Sequence, residues 1–392
     1  MRRPALAVLF TAAFAVPLEA QETRAASATR TPVPRTLSVD EARPALEKGI
    51  AWLLEKQNED GSWGTGVMDT ILQYGFALET YYSWHVAGNA LACMALLEVD
   101  ETPERREALE KGLRWLSQAR VPGRGSSWDI DYVWAGLYGY VACVRAASDP
   151  RFQTAEWHEL IEATGKAYFD ILARNQVPEG GWGYYDFGGA MQRPKWGTSF
   201  CTAALLPALE KGGELGWVED PKILERARRY VARCALPNGA YEYDLNPIAR
   251  ISGGEHINRT KGSLGRIQVC NWALASIGVE KITPDRIREG LEKLFSQHEF
   301  LDIARMRNRP HEAYYANSGY FYFFGHYYAA EVINLLPAEE RETWHAQLRP
   351  HVIKVQRADG SSTDFLPYSS MTVASTAYLV LSLDLGMPRE ES

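Results

Sequence analysis

The sequence has no dense run of basic residues and no excess of positive charge. Lys and Arg total 42 against 49 Asp and Glu, so the 392-residue chain has a formal net charge of −7. Nucleic acids and anionic membrane surfaces attract proteins through clustered Lys and Arg. The charge distribution therefore argues against both as partners.

Sequence signatures of several common enzyme classes are also missing. The chain has no Gly-x-Ser-x-Gly nucleophile elbow, no His-Glu-x-x-His zinc motif, no phosphate-binding loop and no Gly-x-Gly-x-x-Gly dinucleotide fingerprint. Runs rich in Val and Ile between helical segments are absent as well. Because buried parallel strands need such runs, a βαβ fold is disfavoured. We therefore expect neither a cofactor nor a parallel sheet.

The chain has five cysteines, an odd number, and no two of them form a Cys-x-x-Cys pair. They are Cys93, Cys143, Cys201, Cys234 and Cys270. Four of them lie within apolar helical patterns, where a cysteine usually serves as a small buried hydrophobe. We therefore expect buried thiols rather than a disulfide framework or a metal site.

Residues 1–20 have the features of a secretory signal peptide. Arg2 and Arg3 precede an apolar run from Ala5 to Val16, and Ala20 is a suitable cleavage residue. The run is too short to span a bilayer. Residues 21–37, rich in Ala, Thr, Arg and Pro, predict a disordered linker. We expect an exported protein, periplasmic or extracellular, whose mature chain has no transmembrane segment.

Residues 38–388 form one predicted domain, built from six repeats of about 60 residues. The clearest copy, from Lys48 to Trp63, reads KGIAWLLEKQNEDGSW. The glycine that marks the turn recurs at Gly61, Gly125, Gly180, Gly239 and Gly360, and a weaker copy lies near Leu291. Such a period is typical of repeat architectures with two helices per unit.

Each repeat predicts one outer and one inner helix. Ser38, Thr102, Asp220 and Thr283 are suitable N-caps for outer helices of mixed polarity. Helices that are apolar almost all round, and therefore enclosed, follow the turns at 83–99, 131–147, 198–210, 264–279, 319–336 and 370–385. An open solenoid would need polar end repeats, which neither end supplies. The pattern therefore predicts an all-α fold, an (α/α)6 toroid of about twelve helices, six outer around six inner.

The repeat resembles a known one. Lys-Gly, an aromatic residue or Leu, three residues, Gln, a short spacer and Gly-x-Trp are similar to the QW-like repeats of squalene and oxidosqualene cyclases and of protein prenyltransferase β-subunits. The resemblance extends from about residue 38 to 385 and is strongest at 48–63. Within this group the chain is most similar to secreted bacterial proteins with the prenyltransferase/squalene oxidase repeat. The resemblance implies an α/α toroid that binds or transforms an isoprenoid or other apolar ligand in a central aromatic cavity.

We interpret the repeat motif itself as scaffold. Gln is expected to satisfy backbone groups between outer and inner helices, Gly to allow the chain reversal, and Trp to cover the amide. The tryptophans read as architectural on this basis are Trp52, Trp63, Trp115, Trp128 and Trp182.

The acid and zinc motifs of those enzymes are not present. The string nearest to the Asp-x-Asp-Asp acid of the cyclases is Asp129-Ile-Asp131-Tyr132, which lacks the last Asp, and one of its aspartates is expected to cap the second inner helix. No Asp-x-Cys occurs, and His326 stands alone on its helix. A zinc site needs further ligands, so we expect no metal.

Candidate site residues come from the inner helices, since polar and aromatic side chains there can face a central cavity. The candidates for catalysis are Asp131, His326 and Arg266, and those for ligand binding are His85, Asn89, Tyr132, Trp134, Asn271, Tyr320, Tyr322 and Tyr328. Long loops at 65–82, 183–197, 242–265 and 300–318 are expected to form the rim, with polar residues such as Arg250, Glu255 and His311.

Two other functions stay open at this stage. The protein can be a non-catalytic exported scaffold or binding protein, because both acid sites are lost. It can also be a carbohydrate-active enzyme, which needs two carboxylates about 5 to 10 Å apart. The candidates for that pair are Glu179, Asp186, Glu242, Asp244 and Glu255. An aromatic cavity favours the isoprenoid hypothesis, a carboxylate-rich cleft the carbohydrate enzyme, and a filled centre the scaffold.

Overall fold

The computed structural model describes residues 35–69, 76–185, 193–245, 256–307, 309–365 and 368–389. The predicted signal peptide and residues 21–34 of the predicted linker lie outside these ranges, as do the candidates Asp186, Arg250 and Glu255. Leu37, the last linker residue, is fixed by a backbone hydrogen bond to Ala346 (3.0 Å).

The described residues form α-helices joined by turns and three short 3₁₀ segments, without a β-strand. The helices are α1 Val39–Glu55, α2 Leu78–Glu98, α3 Pro103–Gln118, α4 Val133–Ser148, α5 Ala155–Asn175, α6 Ser199–Glu214, α7 Pro221–Arg233, α8 Leu264–Ser276, α9 Pro284–Ser296, α10 Glu299–Ala304, α11 Phe321–Ile333, α12 Ala338–Ile353 and α13 Ser369–Asp384. The outer helices are α1, α3, α5, α7, α9 and α12, and the inner helices are α2, α4, α6, α8, α11 and α13.

The inner helices form a closed ring. Each packs against the next in chain order, and α13 packs against α2, while α12 contacts α1 in the outer layer. The inner helices are buried on nearly every side, whereas the outer helices bury one stripe. The predicted all-α (α/α)6 toroid is confirmed.

Four outer helices begin at the capping residues predicted from the sequence. Thr102, Asp220 and Thr283 each accept a hydrogen bond from a backbone N–H in the first turn. Ser38 and Glu41 form a capping box at the start of α1. These bonds satisfy backbone donors that have no partner within the helix.

In three repeats the motif joins one outer helix to the next outer helix. The Nε2 atom of Gln57 donates to the carbonyls of Gly61 (3.0 Å) and of Ala108 on α3 (2.8 Å). Gln176 and Gln356 make the same pair of bonds. The expectation that Gln satisfies backbone groups between outer and inner helices is confirmed by the bond to the turn glycine, whereas the second bond, to the next outer helix, was not predicted. The reason for the second bond is steric: Gly61 has a positive φ and no side chain, so its turn lies directly against the backbone of α3.

The tryptophans of the turns support the scaffold in two repeats. The indole N–H of Trp63 donates to the carbonyl of Leu53 (2.6 Å), and that of Trp182 donates to Leu172 (2.8 Å). Both indoles are fully buried. Each one ties its turn back to the outer helix that precedes it.

The cysteines agree with the expectation. All five are free and buried. None of the described helices is both long and apolar enough to cross a membrane.

Candidate functional site

A cavity of about 1310 Å³ opens where the loops between outer and inner helices converge. All four predicted rim loops contribute to its wall. Of the 34 described residues that line it, 15 are aromatic and four carry carboxylates. The aromatic residues are Phe76, Trp84, Trp128, Trp134, Tyr138, Tyr184, Tyr185, Trp196, Tyr230, Tyr243, Tyr320, Phe324, Phe365, Tyr368 and Tyr378. The centre of the ring is thus open at this end, and aromatic residues are the largest class in its wall.

Asp131 lies just before α4 and opens onto this cavity. Its Oδ2 accepts a hydrogen bond from the indole N–H of Trp84 (2.9 Å). Its other carboxylate oxygen has no hydrogen-bond partner among the described residues. Desolvation by the surrounding protein raises the pKa of Asp131 to about 7, and the bond from Trp84 only partly offsets it. Near neutral pH the group can therefore both give and take a proton.

Neither aspartate of the Asp129–Asp131 string caps α4, contrary to the expectation. Helix α4 begins without a side-chain cap. Asp129 instead accepts from the backbone N–H of Glu79 at the start of α2 (3.1 Å) and from those of Gly125 and Ser126. Capping of α4 therefore does not explain the presence of an aspartate at position 131.

Tyr320 and His311 form a second polar group in the wall. The ring nitrogen Nε2 of His311 lies 3.1 Å from the Tyr320 hydroxyl, and its Nδ1 lies 2.8 Å from the carbonyl of Ala316. The backbone N–H of His311 donates to Ser318 Oγ (2.7 Å). Burial lowers the pKa of His311, so the ring is neutral near pH 7. Both residues come from the predicted 300–318 loop and its junction with α11.

Three tyrosines lie together at the floor of the cavity. The Tyr378 hydroxyl donates to that of Tyr138, which lies 3.4 Å from the hydroxyl of Tyr328. Tyr138 and Tyr378 line the cavity, and Tyr328 lies behind them. Their hydroxyls satisfy one another, so the floor presents mainly ring surface.

A second buried carboxylate in the wall, that of Asp364, is already engaged. It accepts from the backbone N–H of Phe323 at the start of α11 (2.9 Å) and from Ser375 Oγ (3.0 Å). Burial raises its pKa to about 6. Glu179 and Asp244 complete the set of lining carboxylates and are less buried. Asp364 therefore acts as a helix cap, whereas one oxygen of Asp131 has no hydrogen-bond partner among the described residues.

Of the eleven candidate residues, Asp131, Trp134 and Tyr320 line the cavity. Several others point instead toward the scaffold. Asn89 exchanges two hydrogen bonds with the backbone of Trp63 and a third with the carbonyl of His85. Asn271 accepts from the Tyr241 hydroxyl (2.9 Å).

Two of the tyrosine candidates also face away from the cavity. Tyr132 packs its ring on Tyr185, which itself lines the wall. Tyr322 donates to the carbonyl of His351 on α12 (2.7 Å). Both therefore support the wall from behind.

His326 lies in a buried cluster between α11 and the outer layer. It donates from Nδ1 to the carbonyl of Tyr322 (2.6 Å), and its Nε2 lies 2.8 Å from Nε2 of His298. Burial lowers the pKa of His326 to about 3. No group of three or more His, Cys, Asp or Glu within the described ranges is arranged to hold a metal ion. His326 is thus outside the cavity, because its helix face points toward α12.

Arg266 lies behind the cavity wall. Its guanidinium donates to the carbonyl of Ile257 and stands 5.4 Å from the ring of Tyr243, and Nη1 has no partner among the described residues. Burial lowers the pKa of Arg266 to about 10. It contacts the wall only from outside.

Sequence reasoning missed a repeating position that faces the cavity. Tyr184, Tyr243 and Asp364 each follow the marker glycine of their repeat by four residues, and all three line the wall. The recurrence of this position four residues after the marker glycine could have identified these lining residues from the sequence. The interpretation of Trp128 as architectural is also wrong, because its side chain is 55% exposed and stands at the mouth of the cavity.

No protein-family model matches the chain. In sequence the chain is similar to the squalene–hopene cyclase of Zymomonas mobilis subsp. mobilis, with 32% identity over 102 residues. The matched segment is 26% of this chain and 14% of the cyclase, so it spans a small part of that enzyme's length.

In fold the chain is similar to a GH76A α-1,6-mannanase from Salegentibacter sp., with a TM-score of 0.58 and 13% identity over 88% of this chain and 100% of that chain. A GH76 α-mannanase from Bacteroides thetaiotaomicron gives a TM-score of 0.56 at 11% identity, covering 88% and 95%. A D-mannose isomerase gives 0.54 at 10% identity, also covering 88% and 95%. At these identities the likeness shows the shared fold alone.

Two further structures of the Salegentibacter mannanase are similar in fold, with TM-scores of 0.53 and 0.54. Variants described as inactive, in complex with α-1,6-mannotriose and mannotetrose, carry substitutions at two adjacent aspartates. No two aspartates are adjacent in the present sequence.

Proposed function

We propose that the protein binds an isoprenoid or a similar elongated apolar molecule in the aromatic cavity, and that Asp131 is the group that exchanges a proton with it. The observation that carries the proposal is the wall itself, in which aromatic side chains far outnumber charged ones. Such a surface gains free energy by removing hydrocarbon from water, and its ring faces stabilise positive charge. The signal-like residues 1–20 suggest that the protein acts outside the cytoplasm.

The size of the cavity supports a long ligand. Small-molecule pockets usually measure about 300 to 1,000 Å³, and this one is larger. Aromatic residues extend from the mouth at Trp128 to the floor at Tyr138 and Tyr378. A flexible chain of isoprene units can follow such a wall along its whole depth.

The acidity of Asp131 limits the chemistry. Protonation of an isolated alkene requires an unusually strong acid, whereas a carboxyl with a pKa of about 7 is a weak one. A weak acid transfers protons efficiently to and from oxygen near neutral pH. The proposal is therefore binding coupled to proton exchange at an oxygen atom, and not cyclisation started at a carbon–carbon double bond.

A second candidate is a carbohydrate-active enzyme. The lining carboxylates Asp131, Glu179 and Asp244, together with the fold shared with the mannanases, favour it. Two observations weigh against it: the chain has no adjacent aspartates, and Asp364 is occupied as a helix cap. We therefore rank it second.

The two candidates can be separated by a binding titration of the full exported chain. The tryptophans of the wall provide an intrinsic fluorescence signal. We expect farnesol and squalene to change this emission saturably, while α-1,6-mannotriose leaves it unchanged. Saturable binding or hydrolysis of the mannotriose, without isoprenoid binding, would overturn the proposal and favour the carbohydrate enzyme.

A further inference from the structure

Asp131 has no cationic partner among the described residues. Burial and the hydrogen bond from Trp84 are the influences on its pKa, and no Lys or Arg contributes to it. Glu331, by contrast, forms an ion pair with Arg145 at 2.6 Å. A carboxylate removed from water is costly unless a positive charge lies beside it. The ionised form of Asp131 therefore lacks a counter-ion that the described protein does not itself supply.

The second carboxylate oxygen of Asp131 is reached from the cavity. Trp84 donates to Oδ2 (2.9 Å), and Oδ1 has no hydrogen-bond partner among the described residues. Oδ1 is also not one of the fully enclosed polar atoms that lack a partner. Because Asp131 lines the cavity, a bound ligand can approach this oxygen directly.

Aromatic rings flank this carboxylate. The ring of Trp84 stacks on that of Tyr368, with centroids 5.6 Å apart and planes 23° apart. Trp134 follows Asp131 by three residues, and its backbone N–H donates to the Asp131 carbonyl (3.4 Å). All three rings line the cavity. Aromatic faces attract cations, and the attraction grows where water is excluded.

The charge of the whole wall also favours a positive ligand. The described lining residues include four acidic and two basic side chains, namely Asp131, Glu179, Asp244 and Asp364 against Lys195 and Arg309. Burial lowers the pKa of His311, so this lining residue adds no charge near pH 7. An anionic head group would meet the excess of carboxylates, whereas a cationic one is complementary to it.

We propose that the cavity also binds an elongated organic cation, whose ammonium group pairs with the Asp131 carboxylate beside the rings of Trp84 and Trp134. The inference rests on the proposed function for the apolar body that fills the cavity. It goes beyond that function because the ionised carboxylate exchanges no proton with this ligand. A quaternary ammonium group, which has no proton to give, is therefore sufficient.

Asp131 is the group at this position that changes charge near neutral pH. The titratable side chains that interact with it are those of Tyr184 after α5, Cys201 on α6, Tyr320 before α11 and Tyr368 before α13. Burial raises the pKa of each of the four, so all stay neutral between pH 5.5 and 8.5. Burial raises the pKa of Asp131 only to about 7. Binding of a cation should therefore strengthen as the pH rises through 7.

The experiment compares four ligands that share one farnesyl chain and differ in the head group: trimethylammonium, hydroxyl, phosphocholine and phosphate. Dissociation constants are measured for the full exported chain by tryptophan fluorescence at pH 5.5 and pH 8.5. At pH 8.5 we expect the trimethylammonium ligand to bind roughly tenfold more tightly than any of the others. Its affinity should fall roughly tenfold at pH 5.5, while that of farnesol changes by less than about threefold.

Asp131→Asn tests the carboxylate itself. Asn keeps an acceptor for Trp84 and removes the charge, so the preference for the trimethylammonium ligand should fall to about twofold or less and its pH dependence should disappear. Unchanged affinity for farnesol shows that the cavity of the variant is intact. Asp170→Asn, at an exposed position of α5, should behave as the wild type and controls for the loss of one negative charge.

The remaining outcomes contradict the inference in distinguishable ways. A trimethylammonium ligand that binds the wild type no more tightly than farnesol at pH 8.5 overturns it and leaves the proposed function intact. Tightest binding of the phosphocholine or phosphate ligand overturns it in favour of a phosphate-bearing ligand. A pH dependence that persists in Asp131→Asn assigns the effect to another lining carboxyl such as Asp364, whose pKa burial raises to about 6. Failure of all four ligands to bind overturns both the inference and the proposed function.

Discussion

Gln356 donates a hydrogen bond from Nε2 to the carbonyl of Ala45, 2.8 Å away, although 311 positions of the chain separate them. The same nitrogen donates to Gly360 in its own turn (3.0 Å). Gln57 makes the equivalent bond to the next outer helix between neighbouring repeats. The bond of Gln356 thus closes the outer layer between the last repeat and the first.

This closure predicts a stability effect. Gln356→Ala leaves the two carbonyls without their side-chain partner, and we expect the free energy of unfolding to fall by about 1 to 3 kcal/mol. Urea denaturation followed by circular dichroism measures it. The matched control is Gln347→Ala on the exposed face of α12, which should change the value by less than about 0.5 kcal/mol. Equal effects of the two substitutions would contradict the role of Gln356 in closure.

The ring was predictable from sequence because its signals repeat. The marker glycines, the capping residues and the change from mixed to apolar helices recur about every 60 residues, so each copy supports the others. Helix α8 begins at Leu264 as predicted and ends at Ser276, three residues early. These boundaries depend on short-range contacts, which a local pattern records.

The start of α2 shows where local signals fail. The predicted helix begins at residue 83, whereas α2 begins at Leu78. Asp129, fifty residues away, accepts from the backbone N–H of Glu79 and so stabilises the extra turn. Because this cap comes from another repeat, the sequence next to α2 contains no signal for it.

The site was only partly predictable for a similar reason. Helix α11 is apolar on every side, so its composition does not reveal which side faces the cavity. Tyr320 and Phe324, four residues apart, share the stripe that lines the wall. Tyr322 and His326, also four residues apart, share the opposite stripe and bond within the protein. Tertiary packing, and not residue type, decides between them.

Trp134 tests the proposed function directly. Its ring stacks on Tyr138 (centroids 6.1 Å apart) and lines the cavity. Trp134→Leu removes aromatic contact area from the wall, so we expect roughly tenfold weaker farnesol binding, measured by isothermal calorimetry. Trp344→Leu is the control, because Trp344 stacks on Phe295 in the outer layer. Unchanged binding by the Trp134 variant would show that the ligand does not use this wall.

The buried side chain of His345 is expected to lower the free energy of unfolding at acid pH. Burial, assisted by Arg349, lowers the pKa of His345 to about 4, below the value near 6.5 of an unfolded chain. The unfolded state therefore binds the proton first as the pH falls. The contribution of His345 is complete above pH 6.5 and is lost progressively between about pH 6.5 and pH 4, by up to about 1.4 kcal/mol per pH unit.

The measurement for His345 is the pH dependence of urea unfolding in His345→Gln, which keeps a donor for Asn334. We expect the free energy of unfolding of this variant to fall less steeply than that of the wild type between pH 6.5 and 4.5. His158→Gln, at an exposed position of α5, should follow the wild type. A slope unchanged by His345→Gln would contradict the assignment.

The contribution of Asp131 to the free energy of unfolding should depend on pH in the opposite direction to that of His345. Its pKa of about 7 is raised above the value near 4 of an unfolded carboxyl, so the folded state holds the proton more tightly. The stabilisation is complete below about pH 4 and is lost as the pH rises through 7. At pH 8 the buried carboxylate is charged and costs free energy that Asn at the same position would not.

We therefore expect Asp131→Asn to raise the free energy of unfolding by roughly 1 to 3 kcal/mol at pH 8 and to have little effect at pH 4.5. Asp170→Asn, at an exposed position of α5, controls for the loss of one negative charge. Because Asn keeps an acceptor for Trp84 but cannot exchange a proton, any turnover of a bound isoprenoid should be abolished in the same variant. A variant that gains stability at pH 8 and keeps its turnover would show that Asp131 is a buried charge without a catalytic role.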